Sequence, residues 1–289
     1  MPQAESSRRP DPAFLGRLRR RIRRLERAAA GNPGALALGI AGIDDALPWG
    51  GLPRGALNEV LGAADGGGRQ GPAFTAAAGF VAALAGRAGG TVLWCRRDRG
   101  LYGPGLAALG LDPGRLIVVH GRTDADILWA MEEGLRSGAP AAVVGEAAGP
   151  APVALRRLQL AAEAGGTVAL LLRPGTAGET PSPAATRWRI VPAPNAAAGR
   201  WPGPPRWRVD LLKCRGGAAG RWPKSWIVEW RGQPGNTTAD NDRWHDKTND
   251  QERIKASGFA VVAELPHRPA APAADGGRGD DRHRTRLAV

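Results

Sequence analysis

A glycine-rich turn has the spacing of a phosphate-binding loop but lacks the residues that bind the nucleotide. After an apolar, strand-like run, Gly62 and Gly67 stand at the two glycine positions of the pattern G-x-x-x-x-G-K-[ST]. Gly68 occupies the place of the lysine that contacts the β/γ-phosphates, and Arg69 that of the hydroxyl that binds Mg²⁺. Asp65 adds a negative charge where phosphates would lie. The spacing therefore predicts the backbone of an NTPase loop without its catalytic chemistry.

Two other roles remain open for this turn. Its glycines tolerate positive φ, so it also fits a plain connection between a strand and a helix. Outward backbone N–H groups at the start of the helix would suit a weak anion site. Arg69 is one residue out of register to replace the lysine. We expect no ATP hydrolysis, and we predict no catalytic residue here.

The composition indicates one good-sized domain with appendages and an acidic partner. The chain has 289 residues and a formal net charge of +13. Such a charge favours binding to nucleic acid or to an acidic protein face, although it also fits solubility in an arginine-biased chain. Neither the two cysteines nor the four histidines have disulfide or metal-ligand spacing, so we predict no metal and no cofactor. The arginine-rich start lacks the apolar core of a secretory signal, which predicts a cytoplasmic location.

Residues 1–34 are predicted to form an N-terminal arm with a basic amphipathic helix. Asp11-Pro12 marks its start, and apolar residues recur at three- and four-residue steps. The remaining faces are basic, and they are either solvated or a docking arm for a partner or nucleic acid. The candidate binding residues on these faces are Arg17, Arg20, Arg21 and Arg24.

Residues 35–231 are predicted to form an α/β core with a mostly parallel sheet. From residue 57 to residue 172, apolar strand-like runs alternate with helix-like stretches, which is typical of βαβ units with helices on both faces. Three later strand candidates have short connections that favour antiparallel pairing. Residues 232–257 are polar, and we expect a disordered insertion. A short apolar segment and a disordered tail are predicted for residues 258–289.

A basic and aromatic segment follows the parallel units. Residues 187–224 contain nine Lys or Arg residues against Asp210 alone. Because alternate residues of a strand share a face, arginines would line one face and tryptophans the other. The segment is a charge-protected sheet edge, a protein-binding surface, or a nucleic-acid surface with arginines on phosphates and tryptophans stacked on bases. Its candidate residues are Arg187, Trp188, Arg189, Arg206, Trp207, Arg208, Lys213 and Arg215.

The order of these parts resembles the RecA core. The residues that support this are an N-terminal helix, the motifs Gly42-Ile43-Asp44-x-Ala46-Leu47 and Gly50-Gly51-Leu52-Pro53-x-Gly55, and the phosphate-loop position. Within that superfamily the chain is similar to the ImuA family over roughly residues 14–231. The matching blocks are Leu101-Tyr102-x-Pro104-Gly105-Leu106-Ala107, Leu128-Trp129-Ala130-x-Glu132-Glu133-x-Leu135-Arg136, Arg156-Arg157-Leu158-Gln159-Leu160, Thr186-Arg187-Trp188-Arg189 and Pro205-Arg206-Trp207-Arg208.

This resemblance implies a RecA-like, non-catalytic accessory or scaffold in SOS-induced translesion DNA synthesis and mutagenesis. Its implied partners are an ImuB-type inactive relative of Y-family polymerases, an error-prone DnaE-type polymerase and RecA, with weak DNA binding and homo-oligomers left open. A residual RecA-like ATPase or recombinase and a SulA-like inhibitor of cell division are the alternatives.

Compared with the RecA pattern, two further NTPase positions are degenerate. Arginines of Trp94-Cys95-Arg96-Arg97-Asp98 stand where a water-activating glutamate is expected. The Walker B strand ends in Gly145 where aspartate would bind the metal, so Glu146 is either a displaced carboxylate or an acid at a helix start. Lys213 and Arg215 stand where RecA-like filaments place basic residues that contact nucleotide across a subunit boundary.

Overall fold

A computed structural model describes residues 34–63, 71–175, 181–194, 203–216, 223–232 and 259–265. The N-terminal arm, for which a basic helix with Arg17, Arg20, Arg21 and Arg24 is predicted, lies outside these ranges. So do Asp65, Gly67, Gly68 and Arg69 of the phosphate-loop position, and the polar insertion beyond residue 232.

The described residues form strands and helices in an order that begins with a small hairpin and continues with alternating elements. The strands are β1 (Ala35–Leu36), β2 (Leu52–Pro53), β3 (Ala56–Gly62), β4 (Val92–Arg96), β5 (Leu116–His120), β6 (Ala142–Glu146), β7 (Val168–Arg173), β8 (Thr186–Pro192), β9 (Arg206–Cys214), β10 (Lys224–Trp230) and β11 (Phe259–Leu265). The helices are α1 (Ala41–Asp44), α2 (Pro72–Gly86), α3 (Gly103–Ala108), α4 (Asp124–Ser137) and α5 (Pro152–Gly165), with a 3₁₀ turn at Pro113–Arg115.

One large sheet organises the described part of the chain. Its strand order is β11-β10-β9-β8-β3-β7-β6-β4-β5. The neighbours from β8 through β5 pair in parallel, whereas β9, β10 and β11 each pair antiparallel with the strand before them. The prediction of a mixed α/β fold with a mostly parallel sheet, flanking helices and later antiparallel strands is confirmed.

Each face of the sheet has its own apolar core. On one face, α2 packs over β3, β7 and β8 through residues such as Phe80 and Val81, which are fully buried with Trp94 and Trp188. On the other, α4 and α5 pack through Met131 and other aliphatic side chains. This two-sided burial explains why the parallel strands are continuously apolar.

Local signals in the sequence determine where the flanking helices begin and end. Helix α2 has Pro72 in its first turn, where proline costs no hydrogen bond. Helix α4 begins with a capping box in which Thr123 and Asp126 each bond the backbone of the other. These bonds to Thr123 and Arg122 lower the pKa of the Asp126 carboxyl. The same helix ends at Gly138, whose φ of 64° is left-handed.

The basic and aromatic strands are internal to the sheet, which corrects the expectation of a sheet edge. Strand β8 lies between β3 and β9, and β9 lies between β8 and β10. Strand β11 forms the outer boundary on this side, since the apolar segment after residue 258 pairs with β10. Phe259 packs against Phe80, Trp207 and Trp230, with ring centroids 5.0 to 5.9 Å apart. The described sheet therefore extends past the polar insertion. None of the helices in the described ranges combines the length and apolar character that crossing a bilayer requires.

Candidate functional site

The carboxyl ends of the parallel strands are where an open α/β sheet binds ligands. Strands β3, β4 and β6 end here at Gly62, Arg96 and Glu146. A Cβ atom on Gly62 would lie 2.8 Å from the Cα atom of Phe74, so a glycine is needed where β3 approaches α2. The end of β3 and the start of α2 therefore lie in direct contact at this edge.

The polar centre of this edge is occupied by the protein's own side chains. Glu146 is 1% exposed, and the indole Nε1 of Trp94 donates to its Oε1 atom over 2.7 Å. The guanidinium of Arg96 lies 3.6 Å from Oε2 of Glu146 and also pairs with Asp98. Because a buried carboxylate is costly without a counter-charge, the positive charge of Arg96 stabilises Glu146 at this position. No three His, Cys, Asp or Glu side chains among the described residues are grouped to hold a metal ion.

An aspartate at position 145, where an NTPase would bind its metal, would require the buried Met131 side chain to move. A Cβ atom at this position would lie 2.0 Å from the sulfur of Met131, because Gly145 faces helix α4. Glu146 faces the opposite side of the sheet, where Trp94 lies. It ends β6 and precedes the start of α5 at Pro152, so it does not occupy the first turn of a helix. The interpretation of Glu146 as an acid at a helix start is therefore wrong.

A second buried charge cluster lies in the middle of the sheet. Glu59 on β3 is fully buried and accepts from the Nη1 atom of Arg173 and the Nε atom of Arg187, each over 2.8 Å. Lys213, opposite Arg187 on β9, donates to the carbonyl of Ser182. Burial and, next, the charge of Arg187 lower the pKa of Lys213.

Arg187 therefore corrects the expectation of one exposed row of arginines. Its side chain is 8% exposed, whereas the side chain of Arg189, two residues along, is 48% exposed. The register between β8 and β9 shifts between Arg187 and Trp188. Glu59 lies directly opposite Arg187 on β3, and this buried carboxylate holds the guanidinium inside. Sequence reasoning missed Glu59, because it lies in an apolar run with no local sign of its partners.

Four arginines on β8, on β9 and just after β10 form what we call the arginine surface: Arg189, Arg206, Arg208 and Arg231. Two arginines flank each carboxylate of this surface. Asp210 pairs with Arg189 and Arg208 at 3.7 and 2.9 Å. Glu229 pairs with Arg206 and Arg231 at 2.8 and 3.2 Å.

Tryptophans of the same strands point the other way. Trp188 and Trp207 are buried in the core beside α2, as the alternation predicts. Trp188 donates its indole N–H to Thr186 over 2.8 Å. Neither ring is available to stack on a nucleotide base, which removes that role for these two residues. Arg215 is exposed just after β9.

Cys95 is expected to resist thiol reagents in the folded protein. It is fully buried beside the carboxyl edge, and burial raises the pKa of its thiol to about 12. Thiolate is the reactive form, so at pH 8 only about one thiol in ten thousand is reactive even where reagent reaches it. A Cys214→Ser variant leaves Cys95 as the single thiol of the chain. Labelling this variant with a maleimide before and after urea unfolding measures how far folding protects that thiol. Rapid labelling of the folded variant would show that solvent reaches Cys95, and would contradict this prediction.

Comparison with known proteins identifies curated relatives of this chain. Protein ImuA of Caulobacter vibrioides strain NA1000 / CB15N is 42% identical over 173 residues, which span 55% of this chain and 69% of the relative. Protein ImuA of Caulobacter vibrioides strain ATCC 19089 / CIP 103742 / CB 15 matches to the same extent. The crystal structure of SulA from Pseudomonas aeruginosa is 24% identical over 30% of this chain and 74% of that chain, with a TM-score of 0.28 that supports no conclusion. No protein-family model matches. The identity to these two relatives and the share of their length that it covers show that the chain belongs to the ImuA family.

Proposed function

We propose that this chain is a non-catalytic scaffold of damage-induced mutagenesis that works during translesion DNA synthesis. Membership of the ImuA family supports the damage-induced role. The family resemblance suggests an ImuB-type polymerase relative, an error-prone DnaE-type polymerase and RecA as partners, and a cytoplasmic site of action. The unit β3–α2 at the carboxyl edge, with its phosphate-loop spacing, supports a RecA-like origin for the core.

The observation behind the non-catalytic role is the closed polar centre at the carboxyl edge. Glu146, the carboxylate nearest the Walker B position, is bonded by Trp94 and neutralised by Arg96. A nucleotide-bound Mg²⁺ would have to displace Arg96, and an aspartate in place of the adjacent Gly145 would require Met131 to move. Such a site has no free carboxylate among the described residues to bind the metal or to activate water.

Co-purification tests the scaffold role. The tagged chain is isolated from DNA-damaged and undamaged cells, and its companions are identified by mass spectrometry. We expect the ImuB-type and DnaE-type proteins in the damaged sample. A tagged chain with Arg99→Gln and Arg122→Gln is a control for nonspecific capture by exposed arginines, and it should retain them. Recovery of a cell-division protein alone, or of neither polymerase-related protein, would contradict the proposal.

Mutation frequency tests the same role independently. Cells that lack the gene should lose most of their damage-induced mutations, and a plasmid copy should restore them. The Cys214→Ser variant should restore them fully, because the scaffold role requires no thiol chemistry. An unchanged frequency in the deletion strain would contradict the proposal.

A further inference from the structure

The arginine surface has more positive charge than its own carboxylates neutralise. Among the described residues, the carboxylates that form ion pairs with its four arginines are Asp210 and Glu229. Each guanidinium has five N–H donors, and one carboxylate contact leaves most of them free to bind another acceptor. The surplus favours an anionic partner with many acceptor oxygens.

Three of these arginines are accessible. Arg189, Arg208 and Arg231 have 48%, 50% and 48% of their side chains exposed, while Arg206 is largely covered. A partner can therefore bind them without any rearrangement of the core.

The positions in the sheet spread these cations over an area. Arg206 and Arg208 lie two residues apart on β9, about 7 Å along the strand. Arg189 lies on the neighbouring strand β8, opposite Asp210, and Arg231 follows the end of β10. Three adjacent strands span about 10 Å. This array matches a ligand whose negative charges are repeated and extended, rather than a single small anion.

The chemistry of the surface distinguishes between two forms of nucleic acid. Proteins that bind single strands without sequence preference stack bases on aromatic side chains. Here Trp188, Trp207 and Trp226 are 3% exposed or less and lie on the other side of the same strands. Duplex DNA has one negative charge per about 1.7 Å and is held through its phosphates by Lys and Arg. Exposed arginines without accessible rings among the described residues of β8, β9 and β10 favour the duplex.

We propose that the arginine surface binds duplex DNA through its phosphate backbone, without contacts to base edges. This deepens the proposed function, on which it rests for its biological setting, by assigning the scaffold a direct hold on the DNA beside a lesion. Asp210 and Glu229 compete with phosphate for the same guanidinium groups, so they keep the affinity moderate and reversible.

Fluorescence anisotropy with the purified full chain tests this proposal. The probes are a labelled 20-base-pair duplex, a second duplex of unrelated sequence, and one of the single strands, each titrated between 50 and 200 mM salt. We expect similar affinity for both duplexes and weaker binding to the single strand. Three accessible arginines predict a slope of log K against log salt of about −3.

Paired substitutions locate the binding. Arg189→Gln with Arg208→Gln removes two phosphate contacts, so the slope should become shallower by about 2. Asp210→Asn should strengthen duplex binding severalfold, because it releases both guanidinium groups from their carboxylate. Arg99→Gln with Arg122→Gln makes the same change in charge at exposed positions beyond β4 and β5, and should have little effect.

Opposite results overturn the proposal. An equal loss of duplex affinity in the Arg99/Arg122 control would show that binding depends on net charge alone. A tighter complex with the single strand, an unchanged slope in the Arg189/Arg208 variant, or weaker binding after Asp210→Asn would each contradict a phosphate-binding surface for duplexes. Because bare DNA and pure protein are used, failure here leaves the co-purification result of the scaffold intact, and the reverse is also true.

Discussion

Gly145→Asp is expected to destabilise the protein by about 3–5 kcal/mol, although it restores the residue expected at a Walker B strand end. The new Cβ would lie 2.0 Å from the sulfur of Met131, so this fully buried side chain would have to move within the core. The carboxylate would also enter the apolar core between β6 and α4, where Leu135 and Val143 are fully buried. Overpacking and burial of a charge act in the same direction, so the effect is large.

Urea unfolding followed by circular dichroism measures this effect. Gly149→Asp is a matched control, since Gly149 is exposed and a Cβ there meets nothing within 4 Å. Its midpoint should stay near that of the unmodified protein. Gly145→Ala, which adds the Cβ without the charge, should fall between the two. A Gly145→Asp protein as stable as the Gly149→Asp protein would show that this strand end accepts a metal-binding side chain.

Glu59→Gln is expected to cost about 3–5 kcal/mol, because it removes the carboxylate charge that pairs with two buried arginines. Arg173 and Arg187 each donate to a different oxygen of Glu59 over 2.8 Å, and Lys213 adds a third cation nearby. Breaking a buried ion pair by removing one partner is far more costly than losing a surface pair.

A double-mutant cycle with Arg187→Gln separates this mechanism from a general packing defect. The two substitutions together should lower the free energy of unfolding by less than the sum of their separate effects, because Arg187→Gln removes one of the two guanidinium charges that paired with Glu59. Glu133→Gln is the control, since the pair of Glu133 with Arg136 is about half exposed and should contribute less than about 1 kcal/mol. If Glu59→Gln is as mild as Glu133→Gln, the cluster does not stabilise the sheet.

Local patterns allowed much of the fold to be predicted. Apolar runs separated by amphipathic stretches indicated the parallel units, and the alternation around Trp188 and Trp207 indicated which side of each strand is core. These features depend on residues a few positions apart, which periodicity describes well.

What could not be predicted depends on residues distant in sequence. Arg187 looked like a member of an exposed row, but its partner Glu59 lies 128 residues earlier in the chain. Likewise, the pairing of Phe259–Leu265 with β10 makes β11, and not β10, the outer strand on this side of the sheet. The closure of the carboxyl edge by Trp94, Arg96 and Glu146 also joins two separate strands. Strand order, which no local pattern encodes, determined all three.

The most direct test of a scaffold without turnover is phosphate release from Mg-ATP by the pure chain, with and without damaged duplex DNA. The closed edge predicts no release above that of a buffer blank, and a Glu146→Gln variant indistinguishable from the unmodified protein. Steady release that follows the protein through successive purification steps, and that falls on Glu146→Gln while the fold is retained, would contradict the account.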